Sequence, residues 1–410
     1  MNRFFAAVLL IFFAGAMTVK GMANAIVFLT GLLSIPFIRE YRQQPQQARY
    51  LFLVMLLVPL LTLLQIVSGM DGVTVNGMDA PLRLLFAGLS LWGLVRLPAR
   101  YFTPALWGIL IGACGLGFWG WLSQNVDAYR WDAERAWNGF SHPIAFGVYA
   151  VLFASWTCVL PSQALCSSAA GRKWLSLLKG LAVLVALLAA YASESRSAQF
   201  VMIPTLLLLF FYRLHLPRIQ KAALMVGLAV VAVLVVSLSP DRISTRVREG
   251  VAELQHYDAS LNTSMGMRVT MWKFAVDVIK EHPWTGVGRK GYYREVVKLQ
   301  QESNGLQFIS ASPHPHNELL NFAVEFGIVG LLVGLALYAI PALIFGGVLN
   351  SQDPILSFAG MAGMMAVAVQ FMAGLFDTYF WIVSQTSFYG MSVVIFASMI
   401  FSRKRELGLS

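Results

Sequence analysis

"SPHPHNELLNFAVEFGIVG", residues 312–330, begins as a polar loop held by prolines and becomes, within a few residues, an apolar run that continues to residue 340. The switch marks a helix entry. Pro313 and Pro315 keep the backbone around His314 out of a helix, and Asn317 is the type of residue that caps one beginning at Glu318. The run that follows is long enough to cross a hydrocarbon layer of about 30 Å.

Runs of this kind recur outward from it along nearly the whole chain: near residues 4–18, 22–38, 50–68, 81–97, 102–122, 142–160, 174–192, 197–212, 222–239, 318–340, 354–375 and 379–401. Composition agrees, with 58% hydrophobic and 12% charged residues, where a soluble domain carries about a quarter charged. The expected fold class is an all-α polytopic membrane protein of about 12 transmembrane helices with one large, mostly helical periplasmic loop. Nine helices are expected over residues 1–239, the loop over 240–315, three helices over 316–401 and a basic cytoplasmic tail over 402–410.

Short loops with Arg39, Arg42 and Arg49, with Arg96 and Arg100, with Arg172 and Lys173, with Arg213, Arg218 and Lys221, and with Arg403, Lys404 and Arg405 alternate with loops poor in positive charge. The positive-inside rule places the basic set and both termini in the cytoplasm. Asp71, Asp79, Asp127, Asp132, Glu194 and Asp377 then face the periplasm. The first 18 residues also look like a secretory signal, but a retained span is expected because no separate soluble domain follows. The net charge of +10 is accounted for by the loop ends that set topology and calls for membrane lipids, not nucleic acid, as partner. Cys114, Cys158 and Cys166 show no paired spacing and imply neither a disulfide framework nor a metal site.

The loop of roughly 75 residues before the tenth span is too long to be a simple connection. Ile243, Val247, Val251 and Leu254 repeat at helical spacing opposite Arg242, Arg246 and Arg248, which describes a surface helix. A second periodic stretch, residues 263–283, carries Arg268 near its start. "GVGRKG", residues 286–291, fits a GxGxxG pattern, yet no strand precedes it, so it is read as a turn before a helix near 292–301.

His314 and His316 fall on the outer side at the mouth of the tenth span. Locally three readings are open: an interfacial histidine bonded to its loop, a His-x-His metal pair, or a general base. A neutral imidazole beside a helix N-terminus suits the last. No metal is expected, since the chain has no Asp-x-Asp pair and no outer carboxylate visibly clusters beside these histidines. "YASESRSAQF", residues 191–200, sets Arg196 at a tight outer hairpin between two apolar runs. A charge there is costly unless paired or functional. Arg196 and Arg268 with a base at His316 are the groups that transfer from a lipid-linked diphosphate requires, with guanidinium forks on the phosphate oxygens.

At these residues the chain resembles a known family. His316, Asn317, nine residues, Gly327 and Gly330 resemble a signature of bacterial lipopolysaccharide O-antigen ligases, and the segments around Arg196 and Arg268 resemble that family's two arginine regions. The resemblance implies a glycosyltransferase of the inner membrane with its active site facing the periplasm. It would move O-antigen polysaccharide from undecaprenyl diphosphate onto a sugar hydroxyl of lipid A–core oligosaccharide, inverting, without metal or cofactor. His316 would be the base and Arg196 and Arg268 would bind diphosphate. His314, Asn317, Asp377, Arg242 and Arg246 are possible supporting residues. O-antigen polymerases and protein O-oligosaccharyltransferases share this plan and differ in acceptor, and a lipid-linked glycan transporter is the rival from another class.

Overall fold

The computed structural model describes residues 1–132, 135–202, 205, 264–302 and 312–409. Its helices are α1 (Asn2–Gly15), α2 (Met22–Ser34), α3 (Gln46–Val67), α4 (Asp79–Leu94), α5 (Thr103–Asn125), α6 (Pro143–Val159), α7 (Ser162–Leu165), α8 (Ala169–Ala192), α9 (Ser264–Glu281), α10 (Gly291–Glu302), α11 (Glu318–Gly346), α12 (Pro354–Gly374) and α13 (Val383–Glu406). There is no strand among the described residues.

Among the described residues seven helical runs are long and apolar enough to cross a membrane: Met22–Gln43, Gln46–Val67, Ala99–Asn125, Ala169–Ala192, Glu318–Gly346, Pro354–Gly374 and Val383–Glu406. Two shorter apolar helices, Asn2–Gly15 and Pro143–Val159, stand beside them. The chain is a multi-pass membrane protein. Of the remaining runs read from sequence, the one near 81–97 forms the 16-residue α4; that near 197–212 is described only in part, and that near 222–239 lies outside the described residues.

Side-chain size is distributed as lipid demands. α8 turns Trp174, Leu177, Leu181, Leu184 and Leu188 outward and buries Ala182, Ala186 and Ala189. Large residues outside and small ones inside invert the soluble pattern, because hydrocarbon solvates leucine as well as a core does and small residues let backbones approach. The same device joins α1 to α5, where a methyl built on Gly108 would come within 2.5 Å of the Leu10 carbonyl oxygen. α13 runs buried against α2, α4, α11 and α12, and its Phe388 and Phe396 stack with Phe12 and Phe13 of α1.

The loops collect into two sets. At one end Arg403 pairs with Asp353 at 2.7 Å, Arg96 with Glu40 at 2.5 Å, and the Ala99 N–H donates to Glu406 at 2.7 Å. These are the segments grouped above by their basic residues. The histidine loop bonds to the loop after α12, the 193–196 hairpin to Arg135, and the 283–291 segment to residues 324–328 inside α11.

Candidate active site

Pro313 and Pro315 remove two donors and restrict the residues before them, so the chain enters α11 as a series of bends. Ser312 Oγ donates to the His314 carbonyl at 2.6 Å and fixes that turn. His316 then takes φ +48°, a left-handed conformation that a non-glycine residue holds only where its surroundings impose it. The imposing contacts are visible. Asn317 caps α11 by accepting from Leu320 N–H at 3.0 Å, while its amide donates to the Leu375 carbonyl at 3.1 Å. Glu318, buried, accepts from the Tyr379 and Phe380 N–H groups at 2.5 and 2.9 Å. Two consecutive residues at the start of α11 thus bind the loop between α12 and α13.

That loop delivers Asp377. Its Oδ1 lies 3.1 Å from His316 Nδ1 and also accepts from Thr378 N–H at 2.9 Å. Burial pushes the Asp377 carboxyl up, but the His316 bond and charge and the Thr378 N–H outweigh it and hold the group below its ordinary value. His314 packs edge-on to His316 with ring centres 4.5 Å apart. Burial, helped by the neighbouring His316 and opposed by Asp377, lowers the His314 imidazole to about 4. His142, at the N-cap of α6, is lowered chiefly by burial, and its charge is also coupled to Asp377, Arg135 and His316.

The two arginine segments converge on the residue before Asp377. Ser195 caps a helical stretch, accepting from Ala198 N–H at 3.1 Å, so Arg196 opens that helix with its side chain exposed. One turn on, Phe200 meets Phe376 with ring centres 5.1 Å apart. Arg268 stands one turn before Trp272 in α9, and Trp272 meets the same Phe376 at 6.4 Å. Residues four apart share a helix face, so each arginine sits a turn from a contact with Phe376. The hairpin itself is held by Arg135, which donates to the Ser193 carbonyl at 3.0 Å.

Residues 181–335 match the model of a family described as O-antigen ligase. The match runs from within α8 to within α11 and covers less than half of the chain. The family is shared by O-antigen ligases and polymerases. A Haemophilus influenzae protein described as uncharacterized is 33% identical over 96 residues, which span 22% of this chain and 23% of that relative. The chain therefore covers about a quarter of that relative's length.

The matched segment contains Arg196, Arg268, His314, His316 and Asn317; Asp377 reaches it from beyond its C-terminal boundary. Arg242 and Arg246 lie inside the matched segment but outside the described residues. The expectation that no outer carboxylate gathers beside the histidines is corrected by the fold. One ligand atom each from His314, His316 and Asp377 lie within 4.8 Å of one another, a set that 61 residues of sequence between His316 and Asp377 conceal.

The matched segment also holds a buried ion pair that sequence reading missed. Arg289 Nη1 lies 2.8 Å from Glu325 Oε2, the side chains 5% and 1% exposed. At Gly327 (φ +66°) α11 leaves helical geometry, and the 283–291 segment repairs the break. Val287 and Gly288 N–H groups donate to the Val324 and Glu325 carbonyls at 2.8 and 3.1 Å, and Ile328 N–H donates to the Pro283 carbonyl at 2.8 Å. Backbone groups freed inside a membrane protein need such partners. "GVGRKG" is therefore a turn, as read, and also a splint on a broken helix. Gln65 of α3 completes it, donating to the Glu325 carbonyl at 2.7 Å and accepting from Arg289 N–H at 3.1 Å. The Arg289 guanidinium lies 5.4 Å and the Lys290 ammonium 5.9 Å from the centre of the Trp381 ring, which also meets His314 at 5.5 Å. An acidic residue inside an apolar run was the available signal for Glu325; nothing local pointed to Arg289.

The non-glycine residues with positive φ among the described residues are Glu194, Lys290 and His316. Each adjoins one of the three segments just described: the Arg196 hairpin, the Arg289 splint and the histidine loop. Strain concentrated in this way marks functional sites more often than plain loops.

Proposed function

We propose that the chain is a membrane glycosyltransferase that ligates O-antigen polysaccharide from undecaprenyl diphosphate onto a sugar hydroxyl of lipid A–core oligosaccharide. The observation that carries this is the His316–Asp377 contact of 3.1 Å, set in a loop on which both arginine helices converge. A carboxylate can only accept, so it accepts a hydrogen bond from Nδ1–H of His316, which leaves the lone pair on Nε2. Nε2 removes the acceptor hydroxyl proton as that oxygen attacks the anomeric carbon of the donor. The anomeric C–O bond breaks, and its electron pair leaves with the diphosphate. Arg196 and Arg268 bind the diphosphate and stabilise the charge gathering on it. In-line attack inverts the anomeric carbon, and the energy comes from cleaving the glycosyl–diphosphate bond. Donor and acceptor meet at the periplasmic face of the inner membrane, both chain termini lie in the cytoplasm, and no cofactor takes part.

O-antigen polymerase is the second reading, because the family is common to both activities; the two differ in whether the acceptor is lipid A–core or another lipid-linked glycan. Purified protein in detergent with excess chelator, given undecaprenyl-diphosphate glycan and each acceptor separately, distinguishes them by gel shift. Glycan on lipid A–core with wild type, and at most a hundredth of that rate with His316→Ala, is the expected result. Extension of the lipid-linked glycan alone would make the chain a polymerase. Transfer by His316→Ala at the wild-type rate would remove the base, and no transfer to any acceptor would favour transport.

A further inference from the structure

We propose that His314, His316 and Asp377 bind one borderline transition-metal ion, of which Zn2+ is the type, and that this ion blocks the transfer centre. The binding half stands on the side-chain geometry; the blocking half rests on the role proposed above for His316.

The donor set is two imidazoles and one carboxylate, each residue offering one ligand atom within 4.8 Å of the others. Zn2+ bonds of about 2.0–2.2 Å set tetrahedral ligands roughly 3.4 Å apart. The His316 and Asp377 atoms already stand at 3.1 Å, so the remaining closure is on the order of an ångström. His316 is the freer partner, with its side chain 32% exposed. His314 is the anchored one, 8% exposed and in ring contact with Trp381.

An independent observation points the same way. His314 Nδ1 is buried and makes no hydrogen bond, although buried polar atoms nearly always find a partner. An imidazole nitrogen with no hydrogen-bond partner has a lone pair to offer, and metal ligation uses neutral imidazole. Asp377 supplies the negative charge. Two nitrogens and one oxygen suit Zn2+, Ni2+ or Cu2+, whereas Mg2+ and Ca2+ take oxygen ligands. Three protein ligands leave a fourth position open on the exposed side of His316. An ion held there consumes a lone pair of His316 and the charge of Asp377 that would orient it. Base and metal ligand are therefore competing uses of one side chain.

Metal-stripped, full-length protein in detergent is titrated with Zn2+ and, separately, Mg2+ by calorimetry. One Zn2+ per chain is expected, with no Mg2+ uptake at the same concentrations. His314→Gln and Asp377→Asn should each weaken Zn2+ at least tenfold, and His282→Ala, altering an exposed histidine in a turn after α9, should leave it unchanged. Wild-type affinity in both of the first two variants overturns the site. Should those variants not fold, wild-type protein titrated with Co2+ decides: intense visible bands of a four-coordinate site support it, and a spectrum like that of hydrated Co2+ refutes it. In the transfer assay, Zn2+ is expected to inhibit at least tenfold and chelator to restore the rate. Zn2+ bound at the triplet with transfer unchanged would overturn the blocking half and the base role of His316 together, while leaving the binding site intact.

Discussion

Glu325→Leu should be among the most damaging single changes in this protein, because it strands Arg289. The guanidinium is 5% exposed and loses its carboxylate at 2.8 Å, keeping only a longer bond of 3.5 Å to the Phe380 carbonyl. The Lys290 N–H, which donates to Glu325 Oε1 at 3.2 Å, loses its acceptor as well. Removing one partner of a buried pair costs about 3–5 kcal/mol, or roughly 150- to 5,000-fold in the folded-to-unfolded ratio. Replacing both partners with apolar residues of similar volume is often close to neutral. The double variant Arg289→Met, Glu325→Leu should therefore recover most of the loss and stand within about 1.5 kcal/mol of wild type, a coupling of more than about 2 kcal/mol. Reversible unfolding of the purified protein in mixed detergent micelles, followed by tryptophan fluorescence, measures all four corners of the cycle. A single variant within 1 kcal/mol of wild type, or a double variant as unstable as the sum of the singles, would refute the buried-pair account.

Three further outcomes are expected. His314 has a folded pKa of about 4 against an ordinary 6.5, so its contribution to stability is complete above pH 6.5 and declines as pH falls toward 4; the gap corresponds to roughly 3 kcal/mol, and His314→Gln should flatten that limb of a stability–pH curve, whereas an unchanged slope would argue against a buried neutral histidine. Gly327→Ala forces a side chain onto φ +66° and against Trp284 and Pro283 and should reduce folded yield sharply on gel filtration, while Gly180→Ala, with open space around it in α8, should be neutral or stabilising by up to about 1 kcal/mol; equal behaviour of the two would remove the case for a glycine-dependent splint. Arg196→Ala and Arg268→Ala should each insert normally and lose 90% or more of transfer, about 1.4 kcal/mol or beyond in transition-state stabilisation, and near-wild-type turnover in either would exclude that arginine from diphosphate binding.

The sequence by itself determined the class of molecule and singled out the residues for which catalytic roles are proposed. Apolar run length, sparse charge and the proline-to-asparagine entry at 313–317 depend on local chemistry, and that chemistry survives into the fold: Asn317 does cap α11, and residues 181–335 match the O-antigen ligase family model. His316, Arg196 and Arg268 could be picked out because a polar residue at the edge of a membrane span is expensive enough to need a reason, and Asp377 was legible as a possible supporting residue. The contacts that join them were not legible. Asp377 stands 3.1 Å from His316, Glu318 holds the loop that bears Asp377, Phe376 receives both arginine helices, and Arg289 neutralises Glu325 across 36 residues. Each of these contacts joins elements distant in sequence through a few ångströms of packing. Local pattern records what a residue can do, and only the way the helices close on one another decides which partner it meets.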